Sequence, residues 1–290
     1  MLRERFHAMG TSMELLLEAP DAPDARASLA AARAEIERLE ALLSRFRPDS
    51  ELSRLNHARR MRVGPDLARV LSAALRLRQR TGGRFDPTLG RAIVACGYDR
   101  SFERIADDER PLGASAGGGR AVFVDTASGW VELGAGVDVD LGAIAKGDAA
   151  DRACAILAWT GPCLVNAGGD IVVSGPRHEG PWPVAVATPR GRLVLNLETG
   201  ALATSGTDRR RWWRAGQEHH HALEPSCGLS AATDVTRATA AACTGAEADA
   251  LATALVIAGA SGACSLADQW GVPAVLVDGE GGVRFAGGLR

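Results

Sequence analysis

Apolar residues recur along the chain with two different periods, and each period predicts one kind of secondary structure. Spacings of three and four residues predict helices with one buried face over residues 24–43 and Pro65–Arg80. Proline suits the first position of the second helix, because no N–H is needed there. A further helix of about three turns is predicted to follow residues 138–147 and to end near Ala158.

Alternating apolar and polar residues, and short apolar runs between turn residues, predict strands. Such segments lie at residues 5–18, 121–124, 130–133, 163–175, 183–188, 193–197, 233–243, 274–277 and 283–285. Gly10 interrupts the first segment and predicts a bulge or a close approach to a ligand. The polar, glycine-rich segment 107–120 is expected to be mobile or variable. With no tandem repeat and no clean linker, the pattern predicts one α+β domain over residues 1–290, with largely antiparallel sheets flanked by helices.

The stretch that begins at Thr244 carries clear helix signals. Thr244 followed by Glu247 is a capping-box pattern, and Gly259 is a plausible stop. On this helix Asp249 and Thr253 lie four residues apart and therefore on one face. A carboxylate and a hydroxyl that converge are able to hold a hard cation such as Mg²⁺. The alternative is a surface aspartate near a helix start and a threonine bonded to its own helix, and the segment alone favours that alternative.

Composition and charge restrict the partners of the chain. With 290 residues, 46% of them hydrophobic, the chain is able to bury a substantial core. A net charge of −2 offers no attraction to nucleic acid or to an acidic membrane. We find no secretory signal and no uninterrupted run that approaches the ~20 apolar residues of a spanning helix. We therefore expect a cytoplasmic protein without membrane insertion, whose six scattered cysteines are reduced and mostly buried.

Two glycine-rich segments resemble phosphate-binding loops only loosely. Residues 142–147 lack the hydroxyl residue that follows a P-loop lysine, which excludes a P-loop NTPase, and residues 166–170 do not fit the dinucleotide fingerprint. Lys146 is able to neutralise a phosphate, but a tight turn with a solvated lysine explains the pattern equally well. Asp86 and Asp170 lie in predicted turns, where aspartate is common for local reasons.

Three consecutive histidines offer a second candidate chemistry. In an extended segment His219 and His221 share one face and His220 the other, and no partner supplies a zinc-like spacing. A neutral histidine in a cleft suits a general base near pH 7, and a surface cluster is the alternative. The basic run at residues 209–214 is interpreted as a solvated helix face rather than a phosphate site.

Eight short segments, each weak by itself, occur in the order found in one known family. They are residues 9–11, 50–56, 83–87, 140–147, 166–170, 204–206, 221–225 and 248–255. Together they cover nearly the whole chain. On these segments the chain resembles the FAD:protein FMN transferase family, often called ApbE.

The resemblance implies a T-fold-like domain with its active site in a central cleft. It implies a Mg²⁺-dependent enzyme that moves FMN from FAD to a Ser or Thr hydroxyl of an acceptor protein and releases AMP. His221 would be the catalytic base, and Asp249, Thr253 and a backbone carbonyl near Ala145 would hold the metal. The residues that bind the flavin nucleotide would be Met9, Gly10, Asp86, Lys146, Asn166, Gly168, Gly169, Asp170, Ser205 and Gly206.

The sequence departs from the family pattern at three places. Many members carry a lipoprotein signal that is not found here, which favours a cytoplasmic acceptor. Glu224 stands where the family usually has Asp before Pro225, and residues 207–213 replace an aromatic-rich stretch. Two alternatives to the transferase remain: an FAD pyrophosphatase, in which water replaces the acceptor hydroxyl, and a flavin-binding carrier without turnover.

Overall fold

A computed structural model describes residues 1–113, 118–119 and 121–289. The segment expected to be mobile or variable falls in part on residues 114–117 and 120, which lie outside the described residues. The helices of the described part are α1 Pro23–Leu43, α2 Glu51–Ala58, α3 Pro65–Arg80, α4 Gly90–Ala95, α5 Ala145–Leu157 and α6 Gly245–Trp270, with a 3-10 turn at Phe102–Arg104. The predicted helices over residues 24–43 and Pro65–Arg80 and before Ala158 are confirmed.

Most of the described strands lie at the predicted positions, but residues 60–62, 200–206, 211–214, 217–220, 223–224 and 229–230 also form strands, which the pattern did not predict. The strands are β1 Leu2–Ala8, β2 Thr11–Leu17, β3 Arg60–Arg62, β4 Val122–Asp125, β5 Trp130–Leu133, β6 Cys163–Ala167, β7 Asp170–Ser174, β8 Trp182–Thr188, β9 Gly191–Leu197, β10 Gly200–Gly206, β11 Arg211–Arg214, β12 Gln217–His220, β13 Leu223–Glu224, β14 Leu229–Ser230, β15 Val235–Ala242, β16 Ala274–Asp278 and β17 Val283–Ala286.

The main sheet has eight strands in the order β1-β2-β6-β7-β10-β15-β16-β17. Every neighbouring pair in it is antiparallel. Helices α1, α5 and α6 pack together against one face of the sheet and bury most of the core there. On the other face, Trp182 and Val184 of the β8–β9 hairpin pack on Leu164, Val173 and Leu202 of the sheet. The predicted mixed architecture with antiparallel sheets flanked by helices is confirmed.

The first predicted strand is in fact a hairpin. Met9 and Gly10 both have positive φ, 53° and 66°, and form a two-residue turn between Ala8 and Thr11. Two consecutive left-handed residues match the right-handed twist of paired strands, and glycine takes the second place without strain. Of the two alternatives for Gly10, the bulge is therefore wrong, because the chain reverses there, and a close approach to a ligand stays a prediction.

Helix α6 starts as predicted but does not end at Gly259. The Thr244 hydroxyl accepts the N–H of Glu247 at 3.2 Å, which confirms the cap. Gly259 has φ 69° and ψ 165° and kinks the helix, which then continues to Trp270. The Asp234 carboxylate accepts the N–H of Ala260 at 2.7 Å and so caps the second part. A cap supplied by a residue just before the distant strand β15 is not visible in a local pattern.

Among the described residues, α6 is the one helix that is long and apolar enough by itself to cross a membrane. No charged residue lies between Asp249 and Asp268, a run that the sequence analysis underestimated. The helix packs against α5, β10 and β15, and 56% of its most apolar stretch is buried. Its apolar character is therefore accounted for by its contacts within the fold.

The first turns of α5 and α6 cross in direct backbone contact. A Cβ atom added to Gly245 would lie 2.6 Å from the Gly147 carbonyl oxygen, and one added to Gly147 would overlap the Gly245 carbonyl. The Asp151 carboxylate accepts the N–H groups of Gly245 and Ala246 at 2.6 and 3.0 Å and holds the crossing. The crossing places the first turn of α5 beside Asp249.

Candidate active site

The predicted site residues meet in one cleft of about 900 Å³. The cleft is lined by Met9, Gly10, Asp86, Ala145, Lys146, Asn166, Gly168, Gly169, Asp170, Ser205, Gly206, His221, Asp249 and Thr253. These residues come from hairpin turns, helix starts and strand ends that are far apart in sequence but adjacent in the fold. The structure therefore brings together every candidate, while their roles stay predictions.

A lysine between two buried carboxylates forms the centre of the cleft. The Lys146 ammonium lies 2.9 Å from Asp170 Oδ2 and 2.9 Å from Asp249 Oδ2, and both carboxylate side chains are 3% exposed. Burial opposes the charge on Lys146, but the two carboxylates outweigh it and raise the lysine pKa. Burial, together with repulsion from Asp170, raises the pKa of Asp249 to about 7. The alternative of a solvated lysine is wrong, because Lys146 is an ion-pair partner, and its role toward a phosphate stays a prediction.

Thr253 lies one helical turn after Asp249 and is held by a hydroxyl of the neighbouring strand. Ser205 Oγ and Thr253 Oγ1 are 2.7 Å apart. Ala145, the first residue of α5, also lines the cleft. Within the described residues no group of three or more His, Cys, Asp or Glu side chains forms a metal cluster. The donors are one carboxylate, one hydroxyl and one carbonyl, a hard-oxygen set that fits Mg²⁺ when a substrate supplies further oxygens.

The His221 ring lines the cleft. Its Nδ1 is buried and has no hydrogen-bond partner among the described residues. Burial lowers the pKa of His221 to about 3, and the nearby charge of Arg210 acts in the same direction. The ring is therefore neutral at pH 7 and has a lone pair free for a proton.

The other two histidines have structural contacts. The ring of His219 stacks on Trp212 with 6.4 Å between centroids. His220 Nε2 lies 3.2 Å from the carbonyl oxygen of Ala231. Of the three, only His221 lines the cleft.

Two backbone turns with positive φ meet at the cleft rim. Gly168 and Gly169 have φ of 69° and 110°, and the Asn166 side chain accepts the N–H of Gly169 at 2.8 Å. A Cβ atom at Gly168 would overlap the Thr11 side chain beside the first hairpin turn. Glycine is required at position 168 for both reasons, and the contact joins the two turns into one wall.

Comparisons with known proteins identify the family of the chain. The model of the ApbE family matches residues 9–276. The chain belongs to the ApbE family. It is 31% identical to an FAD:protein FMN transferase of Treponema pallidum over 88% of this chain and 78% of that protein. It is 32% identical to one of Rhodobacter capsulatus over 98% of this chain, which spans 56% of that longer relative.

Solved structures agree with the ApbE-family fold. The ApbE protein of Thermotoga maritima superposes with a TM-score of 0.84 at 28% identity, over 98% of this chain and 96% of that one. The apo flavinyl transferase ApbE of Pseudomonas stutzeri gives 0.85 at 23% identity, over 98% of this chain and 94% of that one, a likeness of fold.

Asp86 is placed differently from the other site residues of this ApbE-family chain. Its carboxylate accepts from Arg78 Nε at 2.9 Å, from the Thr88 hydroxyl at 2.7 Å and from the Gly119 N–H at 2.7 Å. Both carboxylate oxygens are thus engaged within the protein. The contacts fix the loop around the cleft, which is a structural task.

The basic run after β10 is not a helix. Residues Arg211–Arg214 form strand β11, which pairs with β12, and Trp212 is buried there. Arg209 and Arg210 precede the strand and line the cleft, and neither guanidinium forms an ion pair with a described residue. The prediction of a solvated helix face is wrong, because pairing with β12 decides the conformation of residues 211–214.

Sequence reasoning also missed an aromatic and cationic stack in the cleft. The Arg45 guanidinium lies over the Phe46 ring at 4.1 Å and over the Tyr98 ring at 4.7 Å. The two rings are 5.6 Å apart. Phe46 and Tyr98 are more than fifty positions apart in the sequence, so no local pattern connects them.

Proposed function

We propose that the protein transfers FMN from FAD to a Ser or Thr hydroxyl of an acceptor protein and releases AMP. The observation that carries the proposal is that segments spread over an ApbE-family chain converge on one cleft with a buried charged centre. In the reaction a bond forms between the acceptor oxygen and the FMN phosphorus, and the bond from that phosphorus to the AMP oxygen breaks. The whole chain is proposed to act as one domain, since residues from His7 to Ile257 line the cleft.

Asp249, Thr253 and the Ala145 carbonyl are the residues proposed to hold Mg²⁺. When bound, the metal would neutralise charge on the two phosphates of FAD. Lys146 supplies a further positive charge at the same place, and the glycine turn at residues 168–169 allows close approach of the nucleotide.

His221 is proposed to take the proton of the acceptor hydroxyl. The hydroxyl must lose this proton as its oxygen attacks, and a neutral imidazole with an unpaired Nδ1 is suited to accept it. Arg210 lies near enough to lower the pKa of His221 and lines the same cleft. Its guanidinium forms no ion pair with a described residue and is available to the negative charge of the transferring phosphoryl group.

The proposed setting is a reducing compartment such as the cytoplasm. All six cysteines are free, and three of them, Cys96, Cys154 and Cys163, are buried. Free thiols are the rule where glutathione and thioredoxin keep proteins reduced.

One assay separates the transferase from its alternatives. The purified protein is incubated with FAD and Mg²⁺, with and without a candidate acceptor protein, and nucleotides and acceptor mass are measured. Transfer gives AMP and an acceptor heavier by one covalently bound FMN. AMP with free FMN at equal rates in both samples would indicate a pyrophosphatase, and unchanged FAD a carrier, and either result would reject the proposal.

A further inference from the structure

The hairpin of β8 and β9 has two free edges, and one of them faces the cleft. The two strands pair with each other and with no other described strand. Four consecutive residues of β8, at positions 184–187, line the cleft, and no residue of β9 does. Side chains alternate between the two faces of a strand, so a run of four lining residues indicates that the backbone edge itself faces the cavity.

The register of the hairpin identifies the free backbone groups on that edge. Thr188 and Gly191 close a two-residue loop and are therefore a hydrogen-bonded pair, and pairs of this kind recur at every second residue. Pro183, which has no N–H, falls in a non-bonded pair as this alternation requires. The N–H and C=O groups of Ala185 and Ala187 consequently point away from β9 and into the cleft.

These groups have no partner in the part of the chain that the structure describes. No hydrogen bond to the backbone of Ala185 or Ala187 occurs beyond the β8–β9 pairing. Both side chains are small and exposed, while Val184 and Val186 are buried against the main sheet. A second backbone is therefore able to approach the edge closely. Free strand edges of this kind are templates for pairing with another chain.

The edge lies on the opposite face of β10 from the charged centre. Ser205 points toward α6, where it contacts Thr253. Thr204 points to the other face, toward the hairpin, and contacts Thr239 at 2.8 Å. The cleft is lined by Thr204, Ser205, Thr239 and Thr253, and so extends around the end of β10 from one face of the sheet to the other. A chain bound at the edge is thus in the same cavity as the charged centre without occupying its position.

We propose that the acceptor protein binds as an extended segment that pairs with the free edge of β8. This inference rests on the proposed transfer to a protein hydroxyl. An extended peptide presents N–H and C=O groups at every second residue, which is the spacing of Ala185 and Ala187. FAD has no such repeating backbone. Main-chain pairing would supply affinity for any sequence that is able to extend, and the cleft walls would select the side chains around the hydroxyl.

Proline substitutions on the two edges of the hairpin test the proposal with a matched control. Ala185→Pro removes an N–H from the inner edge, and Val194→Pro removes one from its cross-strand partner on the outer edge. The probe is the acceptor protein that the wild-type enzyme modifies in the transfer assay. We expect Ala185→Pro to raise the KM for this acceptor by about tenfold over the control, as for lost backbone hydrogen bonds, with the FAD affinity equal in both variants. Equal KM values, or a loss of FAD affinity specific to Ala185→Pro, would overturn the proposal.

A second measurement leaves the enzyme unchanged. Synthetic peptides of twelve residues around the modified hydroxyl carry a single N-methyl group at successive positions. If the peptide pairs with one strand edge, N-methyl groups at alternate positions on one side of the hydroxyl should weaken transfer. N-methyl groups at the positions between them should have no effect. Uniform or absent sensitivity would contradict strand pairing. If the wild-type enzyme modifies no protein at all, the proposed function fails, whereas normal transfer by Ala185→Pro rejects strand pairing alone.

Discussion

The Lys146 ammonium lies 2.9 Å from the Asp249 carboxylate, the same group that is proposed to hold the metal. Asp170 holds this ammonium from the other side, also at 2.9 Å. Above pH 7, where Asp249 is ionised, one positive charge thus stands between two buried negative charges before any cation binds. A divalent cation at Asp249 reverses the net sign of the group from −1 to +1, which favours a diphosphate ligand.

Lys146→Met is expected to bind Mn²⁺, a calorimetric probe for the site, about tenfold more tightly than the wild type, because a repelling charge is removed. Without metal the variant should lose roughly 3–5 kcal/mol of unfolding free energy, since two buried carboxylates lose their counter-ion. Arg152→Met, at an exposed position of the same helix, is the control. Unchanged or weaker Mn²⁺ binding by Lys146→Met would show that the lysine and the cation do not compete.

Ser205→Ala is expected to weaken Mn²⁺ binding by roughly tenfold or more, because Ser205 orients the Thr253 hydroxyl. Thr204→Val is a matched control on the same strand, where a similar hydroxyl pair with Thr239 faces the other side of the sheet. Titration calorimetry on both variants measures the difference. If both weaken the metal equally, the effect is general loosening of β10 and not orientation of Thr253.

His221→Gln should retain FAD binding and lose transfer, because the ring is assigned to proton removal. The pKa of His221 is lowered to about 3 in the folded state. Below pH 6.5, the usual pKa of histidine, the folded state therefore binds fewer protons than the unfolded state. The unfolding free energy of the wild type should therefore fall by up to about 1.4 kcal/mol for each pH unit below 6.5, relative to the variant.

Imidazole NMR gives the direct check on His221. The ring should remain neutral in the folded protein at pH 5. A His221 ring that titrates near pH 6.5, or full transfer activity in His221→Gln, would contradict its assignment as a buried neutral base.

Gly147→Ala is expected to destabilise the protein by at least 1–3 kcal/mol, because the new methyl group overlaps the Gly245 carbonyl where α5 and α6 cross. Gly262→Ala is the control: it lies within α6, its Cβ would meet only the Ala258 side chain at 3.6 Å, and the change should be neutral or stabilising. Chemical denaturation measures both. If both variants change the free energy of unfolding equally, α5 and α6 are able to move apart at the crossing without cost.

Much of the fold follows from local patterns. The apolar period predicts α1, α3 and most strands, because these elements each bury one face and their side chains record it. The basic run at 211–214 and the kink at Gly259 could not be predicted in this way. Their conformations depend on β12 and on Asp234, which are brought in by the tertiary fold.

The candidate site, like the fold, is predictable from the sequence only in part. Motif order identifies Asp249, Thr253 and His221 as candidates that line one cleft, since each belongs to a recognisable short segment. The pairing of Lys146 with Asp170 is not visible in the sequence, because it depends on how α5 meets β7. The free edge of β8 is likewise a property of the sheet topology. The alternation of apolar and polar residues predicts a strand but does not indicate which of its edges stays unpaired.

The contact between Gly147 and Gly245 also fixes the direction of two helix axes. Helix α5 begins at the cleft, so the positive end of its peptide macrodipole, equivalent to about half an elementary charge, lies there. This potential comes from the main chain and persists whichever side chains are replaced. The cleft should therefore keep an attraction for dianionic groups, weakened by added salt, even in variants that lack Lys146.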